Sequence, residues 1–307
     1  MIENYINKLF CKDNLELLKE LPSNSIDLIY GDILYGTGKD WKDYKDINSN
    51  ETEVNTFYYE RIKEMKRVLK ETGSIYLQMD TNINHYIKLM LNKIFGNKNF
   101  RNEIIWKRGN SSGFKTQYNG FIKNHDIILF YSKSDKYLFN KLKYDEYNGF
   151  YNRWKKYSLD NETITYINFP KSDKKWLNSL IEKFKKENNR EPLNNDILYR
   201  FNSTYIEDIW TDISDIAYGS KEKIDYATQK PEKLLERIIL ASSNKNNIVL
   251  DCFLGSGTTI VVSEKLNRKW IGIDINQKSI EITNERLNNI NTHQIKIKEK
   301  LNNIFEF

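Results

Sequence analysis

The sequence predicts an α/β fold in which a mostly parallel, doubly wound sheet is interrupted by one insertion. Three observations predict it. Short apolar runs of strand length alternate with amphipathic segments of helix length over residues 6–131, the pattern of strands joined by crossover helices. The alternation resumes near Pro231 and continues to about Leu287. Between Ser132 and Asp225 the rhythm is lost in a stretch rich in Tyr, Trp, Lys and Asn. A chain of 307 residues is long enough for one large α/β domain plus such a module.

Residues 6–11 form a first strand candidate, followed by Asp13-Asn14 and a helix through Leu21 that Pro22-Ser23-Asn24 breaks. Ile26 to Tyr30 is a short apolar run ending at Asp32. Gly36 to Glu53 is polar and reads as a loop. Phe57, Ile62, Met65, Val68 and Leu69 recur at helical spacing over 54–70, and Gly73 is expected to close that helix in the left-handed conformation. Ser74 to Met79 is a strand, and a helix carrying Ile87, Met90, Leu91 and Ile94 follows it. Glu103–Trp106 and Asp126–Tyr131 are further strands, separated by the basic, glycine-containing run Lys107 to Gly113. Within the insertion only Lys174 to Glu187 reads as a helix. The α/β pattern returns as a helix opened by Pro231, a strand at 248–250, a glycine loop and a helix from Thr258 to Leu266. Strand Trp270–Asp274 and a helix from Gln277 to Leu287 complete it, and the last twenty residues are weakly patterned.

No run of about 18 apolar residues exists, so a membrane-spanning helix is excluded from the reading. The first residues lack the layout of a secretory signal. Cys11 and Cys252 are far apart, which argues against a disulfide framework and for a reducing, cytoplasmic setting. His85, His125 and His293 are too scattered for a Cys/His zinc site. The net charge of +6 is unevenly placed: Lys133 to Arg200 holds 15 Lys or Arg against 10 Asp or Glu. That asymmetry suits a polyanionic partner, or simply a well-solvated surface.

A short strand running into Asp251-Cys252-Phe253-Leu254-Gly255-Ser256-Gly257-Thr258-Thr259 and then a helix reads as a nucleotide cradle. Ile260 stands where the dinucleotide fingerprint has its third glycine, which weakens a nicotinamide reading. Asp274 ends the next strand, where an acidic side chain can accept both hydroxyls of a ribose.

These residues resemble the Phe-x-Gly-x-Gly motif of S-adenosylmethionine-dependent DNA amino methyltransferases. Thr228-Gln229-Lys230-Pro231 resembles that family's segment for the methionine part of the cofactor, and Trp270 to Asp274 its ribose-binding strand. The order of segments, catalytic first and cofactor last, is that of the β-class. The resemblance implies a circularly permuted Rossmann-like methyltransferase fold that binds S-adenosylmethionine. Its cofactor contacts would be Asp13, Asp32, Thr228, Lys230, Pro231, Asp251, Phe253, Gly255, Ser256, Gly257, Thr258 and Asp274. Asp13 would lie near the adenine, although read alone it is equally a helix N-cap.

The family's catalytic tetrapeptide is usually Asp-Pro-Pro-Tyr; here it is Asp32-Ile33-Leu34-Tyr35, with both prolines gone. The Asp32 carboxylate and the Ile33 carbonyl would accept the amine hydrogens, and Tyr35 would stack on an extruded base. Losing the prolines loosens the loop without deleting a functional group. Asp in first position points to adenine N6 over cytosine N4. The implied organisation is 1–132 as catalytic half, 133–225 as target-recognition insertion and 226–307 as cofactor half.

DNA contacts are expected from Lys107, Arg108, Arg153, Lys155 and Lys156, with Tyr147, Tyr151, Trp154, Tyr157, Tyr166 and Trp176 either stacking on DNA or forming the insert's own core. Phe130 or Tyr131 is a candidate to line the base pocket. Partners implied are double-stranded DNA, a second copy of the chain and a companion restriction endonuclease. The competing readings are a non-catalytic DNA-binding subunit and an RNA adenine or cytosine N4 methyltransferase.

Overall fold

Strand β1 (Lys8–Cys11), helix α1 (Asn14–Glu20), β2 (Ile26–Asp32), α2 (Glu51–Val68), β3 (Leu69–Met79), α3 (Asn84–Phe95), β4 (Phe100–Lys107) and β5 (His125–Ser132) follow one another as the alternating pattern predicts. After them come β6 (Thr163–Thr165), α4 (Lys174–Asn188), β7 (Ile197–Arg200), β8 (Ile209–Trp210), α5 (Glu232–Ser242), β9 (Ile248–Asp251), α6 (Thr258–Lys265), β10 (Lys269–Asp274) and α7 (Gln277–Asn302). The computed structural model describes residues 1–39, 46–109, 119–144, 153–160, 162–201, 204–226 and 228–302, with side chains of the last helix described to residue 290. Among the described residues no helix is long and apolar enough to cross a membrane.

Eight strands form one sheet in the order β1-β10-β9-β2-β3-β5-β4-β8. Every neighbouring pair is parallel except the two that involve β5, which runs against the rest. Six of the seven residues of β2 are buried, as expected for a strand covered on both faces. Ile29, Ile75 and Leu77 point to one face, where Val54, Tyr58, Ile62, Met65 and Val68 of α2 and Ile87 and Leu91 of α3 pack on them. Tyr76 points to the other face and its hydroxyl meets Ser242 Oγ of α5 at 2.7 Å. Helices on both faces make the sheet doubly wound.

Two local expectations are corrected. Gly73 does not cap α2: that helix ends at Val68, and the chain passes straight into β3, which contains Gly73. The pairing of β2 with β3 shifts register between Ile26 and Leu28, and a Cβ at Gly73 would sit 2.9 Å from Leu69 Cδ2 and 3.1 Å from the Asp27 carbonyl. Glycine is there for close backbone approach at an irregular pairing. The C-terminal helix also runs beyond Leu287, to Asn302.

The chain divides into one unit of Met1–Asn140 with Asp208–Phe307 and a second of Lys141–Glu207. The second is narrower than the expected 133–225. Asn140 N–H donates to the Ala241 carbonyl, and β8 extends the main sheet beside β4, so both flanks belong to the first unit. In the second unit Trp154, Ile164, Phe169, Leu198 and Phe201 form a small core, with Tyr157, Tyr166, Trp176 and Tyr199 against it. Most of the named aromatics there serve packing; Tyr147 and Tyr151 lie outside the described residues. Cys11 is exposed, whereas Cys252 is buried.

Asp27 ties three strands at the amino-terminal end of the sheet, its Oδ2 accepting from Ile248 N–H at 2.8 Å and from Lys70 Nζ at 2.8 Å. Asp27→Ala removes the acceptor for a buried N–H and is expected to cost about 2 kcal/mol in chemical denaturation, with little change in cofactor affinity.

Candidate active site

The sheet reverses its direction of growth between β2 and β9. These strands are parallel and adjacent, with Tyr30 opposite Asp251, so their carboxyl ends emerge side by side at the switch point where α/β sheets place ligands. The loops leaving them share a cavity of ≈ 880 Å3 lined by residues from both halves of the chain, including Asp13, Asp32, Tyr35, Lys230, Phe253 and Asp274.

On the cofactor side, Asp251 is buried at the end of β9 and accepts from Phe253 N–H at 2.9 Å, which starts the turn. Gly257 stands at φ +74°, and a Cβ there would lie 2.1 Å from Thr283 Oγ1 of α7. The turn can therefore nestle against α7 only without a side chain at this position. Asp274 Oδ2 accepts from Gly255 N–H at 2.8 Å and Oδ1 from Asn276 N–H at 2.9 Å. Ser279 and Ile275 also donate to this carboxylate, and the side chain lines the cavity. Burial pushes the Asp251 carboxyl up to about 7, with nearby Asp32 and Asp274 adding in the same direction. Burial also raises the Asp274 carboxyl above the ordinary range.

Asp13 is the N-cap of α1, its Oδ1 accepting from Leu15 N–H at 2.8 Å, while Oδ2 pairs with Arg61 of α2 at 2.5 Å. Arg61 Nε also donates to Asn14 Oδ1 at 2.7 Å, and its guanidinium lies 4.0 Å from the Phe57 ring centroid. Both readings of Asp13 therefore meet: it is a cap and it faces the cavity.

On the catalytic side, β2 ends at Asp32 and the chain turns through Ile33, which is buried. Asp32 Oδ2 holds Lys230 Nζ, and Oδ1 is 3.0 Å from the Tyr35 hydroxyl. Burial raises the Asp32 carboxyl above its ordinary value, against the lowering effect of Lys230. The Tyr35 hydroxyl also reaches Asp126 Oδ2 at 2.7 Å. Burial beside these carboxylates pushes the Tyr35 phenol well up, so it stays a donor at neutral pH.

The structure gathers Asp13, Asp32, Ile33, Tyr35, Thr228, Lys230, Phe253, Gly255 and Asp274 on the cavity, together with Arg108. Asp251, Ser256, Gly257, Thr258 and Pro231 are not on its wall. Ser256 and Thr258 are buried under Arg286, and Pro231 precedes α5 as its N-cap. Lys107, Arg153, Lys155 and Lys156 are exposed, and residues 110–118 of the basic loop lie outside the described residues.

Phe130 and Tyr131 do not line the pocket. Phe130 stacks on Tyr76 at 4.3 Å, and Tyr131 donates to Asn92 Oδ1 inside the sheet unit. Because β5 is antiparallel, it is its first residues that reach the site, and Asp126 is the one on the wall. Sequence reasoning missed Asp126, Arg61 and Asn14. Only strand direction could have revealed Asp126, and nothing in the helical pattern marks Arg61. Among the described residues no cluster of His, Cys, Asp or Glu could hold a metal ion.

The N6/N4 methyltransferase family, described as DNA methylase, matches residues 26–285. Type II methyltransferase M.HpaI of Haemophilus parainfluenzae is 35% identical over 280 residues, covering 91% of this chain and 74% of the relative. Type II methyltransferase M1.MboII of Moraxella bovis is 30% identical, covering 93% and 98%. DNA adenine methyltransferase YhdJ of Escherichia coli K12 is 30% identical, covering 90% and 80%. The crystal structure of the M1.HpyAVI–SAM complex superposes with a TM-score of 0.52 at 19% identity, covering 91% of this chain and 98% of that one. The cytosine-N4-specific PvuII DNA methyltransferase gives 0.57 at 15%, covering 91% and 85%. The chain belongs to the N6/N4 DNA methylase family. It is accordingly a DNA methyltransferase of the Rossmann-like fold, and its methyl donor is S-adenosylmethionine.

Gly257→Ala forces a Cβ into Thr283 in a left-handed backbone and is expected to lower stability by about 1–3 kcal/mol, read by thermal melting, and to weaken cofactor binding. Asp251 generates a pH dependence. Its folded pKa lies above the ordinary carboxylate value, so its contribution to stability is fully present below about pH 4 and is lost as pH rises through 7. Asp251→Asn should therefore flatten the fall in Tm measured between about pH 5 and 8.

Proposed function

We propose that this methylase acts on adenine N6, with Asp32 and the Ile33 carbonyl as the groups that engage the amine. The observation that carries this is the shared cavity at the ends of β2 and β9, which sets the Asp32-Ile33-Leu34-Tyr35 loop beside the Phe253–Gly257 turn. An Asp at the head of the tetrapeptide supports adenine, as does the likeness to a relative named a DNA adenine methyltransferase.

The cavity residues fit the cofactor. Asp274 presents a carboxylate on the cavity wall, the acceptor a ribose diol calls for, and Phe253 and Phe57 supply apolar surface for a purine next to Asp13. Lys230 is the cation suited to the methionine carboxylate. Bound S-adenosylmethionine supplies a sulfonium methyl group, and the chain does the rest by orientation. An exocyclic amine is a weak nucleophile because its lone pair is delocalised into the ring. Asp32 and the Ile33 carbonyl accept its two hydrogens and hold the nitrogen pyramidal, lone pair towards the methyl. Tyr35 offers its ring face to a base drawn out of the duplex. Lys230 must leave Asp32 Oδ2 before the amine can use that oxygen, and the methionine carboxylate is the competing anion that draws it away.

The second unit, with exposed Arg153, Lys155, Lys156, Lys174 and Lys175 around an aromatic core, is read as the target-recognition part. Relatives named as Type II methyltransferases support a companion restriction endonuclease with the same recognition sequence.

Expression in a methylation-free host, followed by single-molecule sequencing, should reveal N6-methyladenine at one short sequence. N4-methylcytosine instead would overturn the base assignment. Asp32→Ala should reduce transfer to duplex DNA by at least about 100-fold while cofactor binding, measured by calorimetry, survives.

A further inference from the structure

The tetrapeptide Asp32-Ile33-Leu34-Tyr35 lacks the prolines that would stiffen it, yet its backbone and ring are held at several points. Ile33 N–H donates to the Gln78 carbonyl of β3 at 3.0 Å, a bond that proline at this position would delete. The Ile33 side chain is buried. At the far end of the loop the Tyr35 hydroxyl is 2.7 Å from Asp126 Oδ2. The same Asp126 oxygen accepts from Gln78 Nε2 at 2.9 Å, and Gln78 Oε1 accepts from the Tyr30 hydroxyl at 2.7 Å. Gln78 thus grips the loop twice, through its backbone at Ile33 and through Asp126 at Tyr35. Gln78 and Asp126 are fully buried, so these bonds do not compete with bulk water.

We propose that Asp126 is a positioning residue for methyl transfer, clamping the Tyr35 hydroxyl so that the ring and the Asp32 carboxylate are held as one rigid unit in place of the missing prolines. A tyrosine hydroxyl carries one proton and faces two carboxylates here, Asp126 at 2.7 Å and Asp32 at 3.0 Å. Donation to the nearer oxygen anchors the tip of the ring, and the side chain lines the cavity. Arg108 stands on the other side of Asp126, with Nε 3.5 Å from Oδ1. Neither of those two atoms has a hydrogen-bond partner among the described residues. Arg108 therefore balances the charge of Asp126 without competing for the oxygen that Tyr35 uses. The clamp comes from β5, which runs antiparallel to both its neighbours and enters the site by its amino-terminal end.

This inference rests on the reading of Asp32 and Tyr35 as the reacting end, and a double-mutant cycle separates the two. Tyr35→Phe and Asp126→Ala are each expected to lower kcat about tenfold with the cofactor Kd unchanged, and the double variant to lose about tenfold, not a hundredfold. Losses that multiply would show that Asp126 acts elsewhere and would overturn the clamp, as would wild-type kcat in Asp126→Ala. Tyr35→Phe removes only a hydroxyl, so if Asp126→Ala does not fold, full kcat in Tyr35→Phe still overturns the proposal. Asp32→Ala run alongside keeps the readings apart. Turnover in that variant rejects the assignment of the reacting end itself, whereas an inactive Asp32→Ala with a multiplicative cycle rejects only the clamp.

Discussion

The parallel pairing of β2 with β9 is the constraint on which the rest depends. Leu28, Ile29 and Tyr30 lie opposite Val249, Leu250 and Asp251, and that register aligns the ends of two strands from distant parts of the chain. A shift of one residue would turn Ile29 and Leu250 away from the helices that cover them, so the hydrophobic pattern holds the register. Asp27 reinforces it from below by accepting from Ile248 N–H. Everything polar at the top of the sheet follows. Tyr30 is placed to support Gln78, Asp251 to start the glycine turn, and Asp32 to face Lys230 across the cavity.

Much of the sheet and of the cofactor side was legible in the sequence because both are local. A buried strand followed by a glycine turn leaves a contiguous signature, and Asp251, Gly255, Gly257 and Asp274 could be named from it. The amphipathic stripes of α2 and α3 were legible for the same reason, since five buried positions of α2 repeat at helical spacing. What escaped depends on direction and long-range pairing. Strand β8 is two residues long and has no periodicity to show. Gly73 looks like a helix terminator in sequence, and only the irregular pairing beneath it explains its place inside β3. Phe130 and Tyr131, candidates for the base pocket, lie towards the carboxyl end of β5, and antiparallel pairing brings its amino end with Asp126 to the site instead.

The missing prolines of the catalytic loop illustrate how a local rule can mislead. Read residue by residue, Ile33 and Leu34 make a looser turn. In the fold, Ile33 is a buried side chain with a bonded N–H, and Tyr58 donates to the Leu34 carbonyl at 3.4 Å. Rigidity that a proline ring would build into the backbone is here distributed over side chains from α2, β3 and β5. Such rigidity is conditional on the surrounding packing, which intrinsic backbone stiffness is not.

The pairing of strands from the two ends of the chain also has a consequence for how the protein is made. The bond from Ile248 N–H to Asp27 spans 221 residues, and β1 at the sheet edge finds its partner only in β10. The ribosome therefore releases β9 and β10, the two strands that lie between β1 and β2, long after β2 has emerged. Closing so long a loop adds little to the equilibrium cost, because loop entropy grows only with the logarithm of length. It does delay the event, leaving one side of the apolar strand β2 open until β9 has emerged. A nascent chain that stops short of β10 lacks part of the cavity wall, so methylation competence waits for that strand.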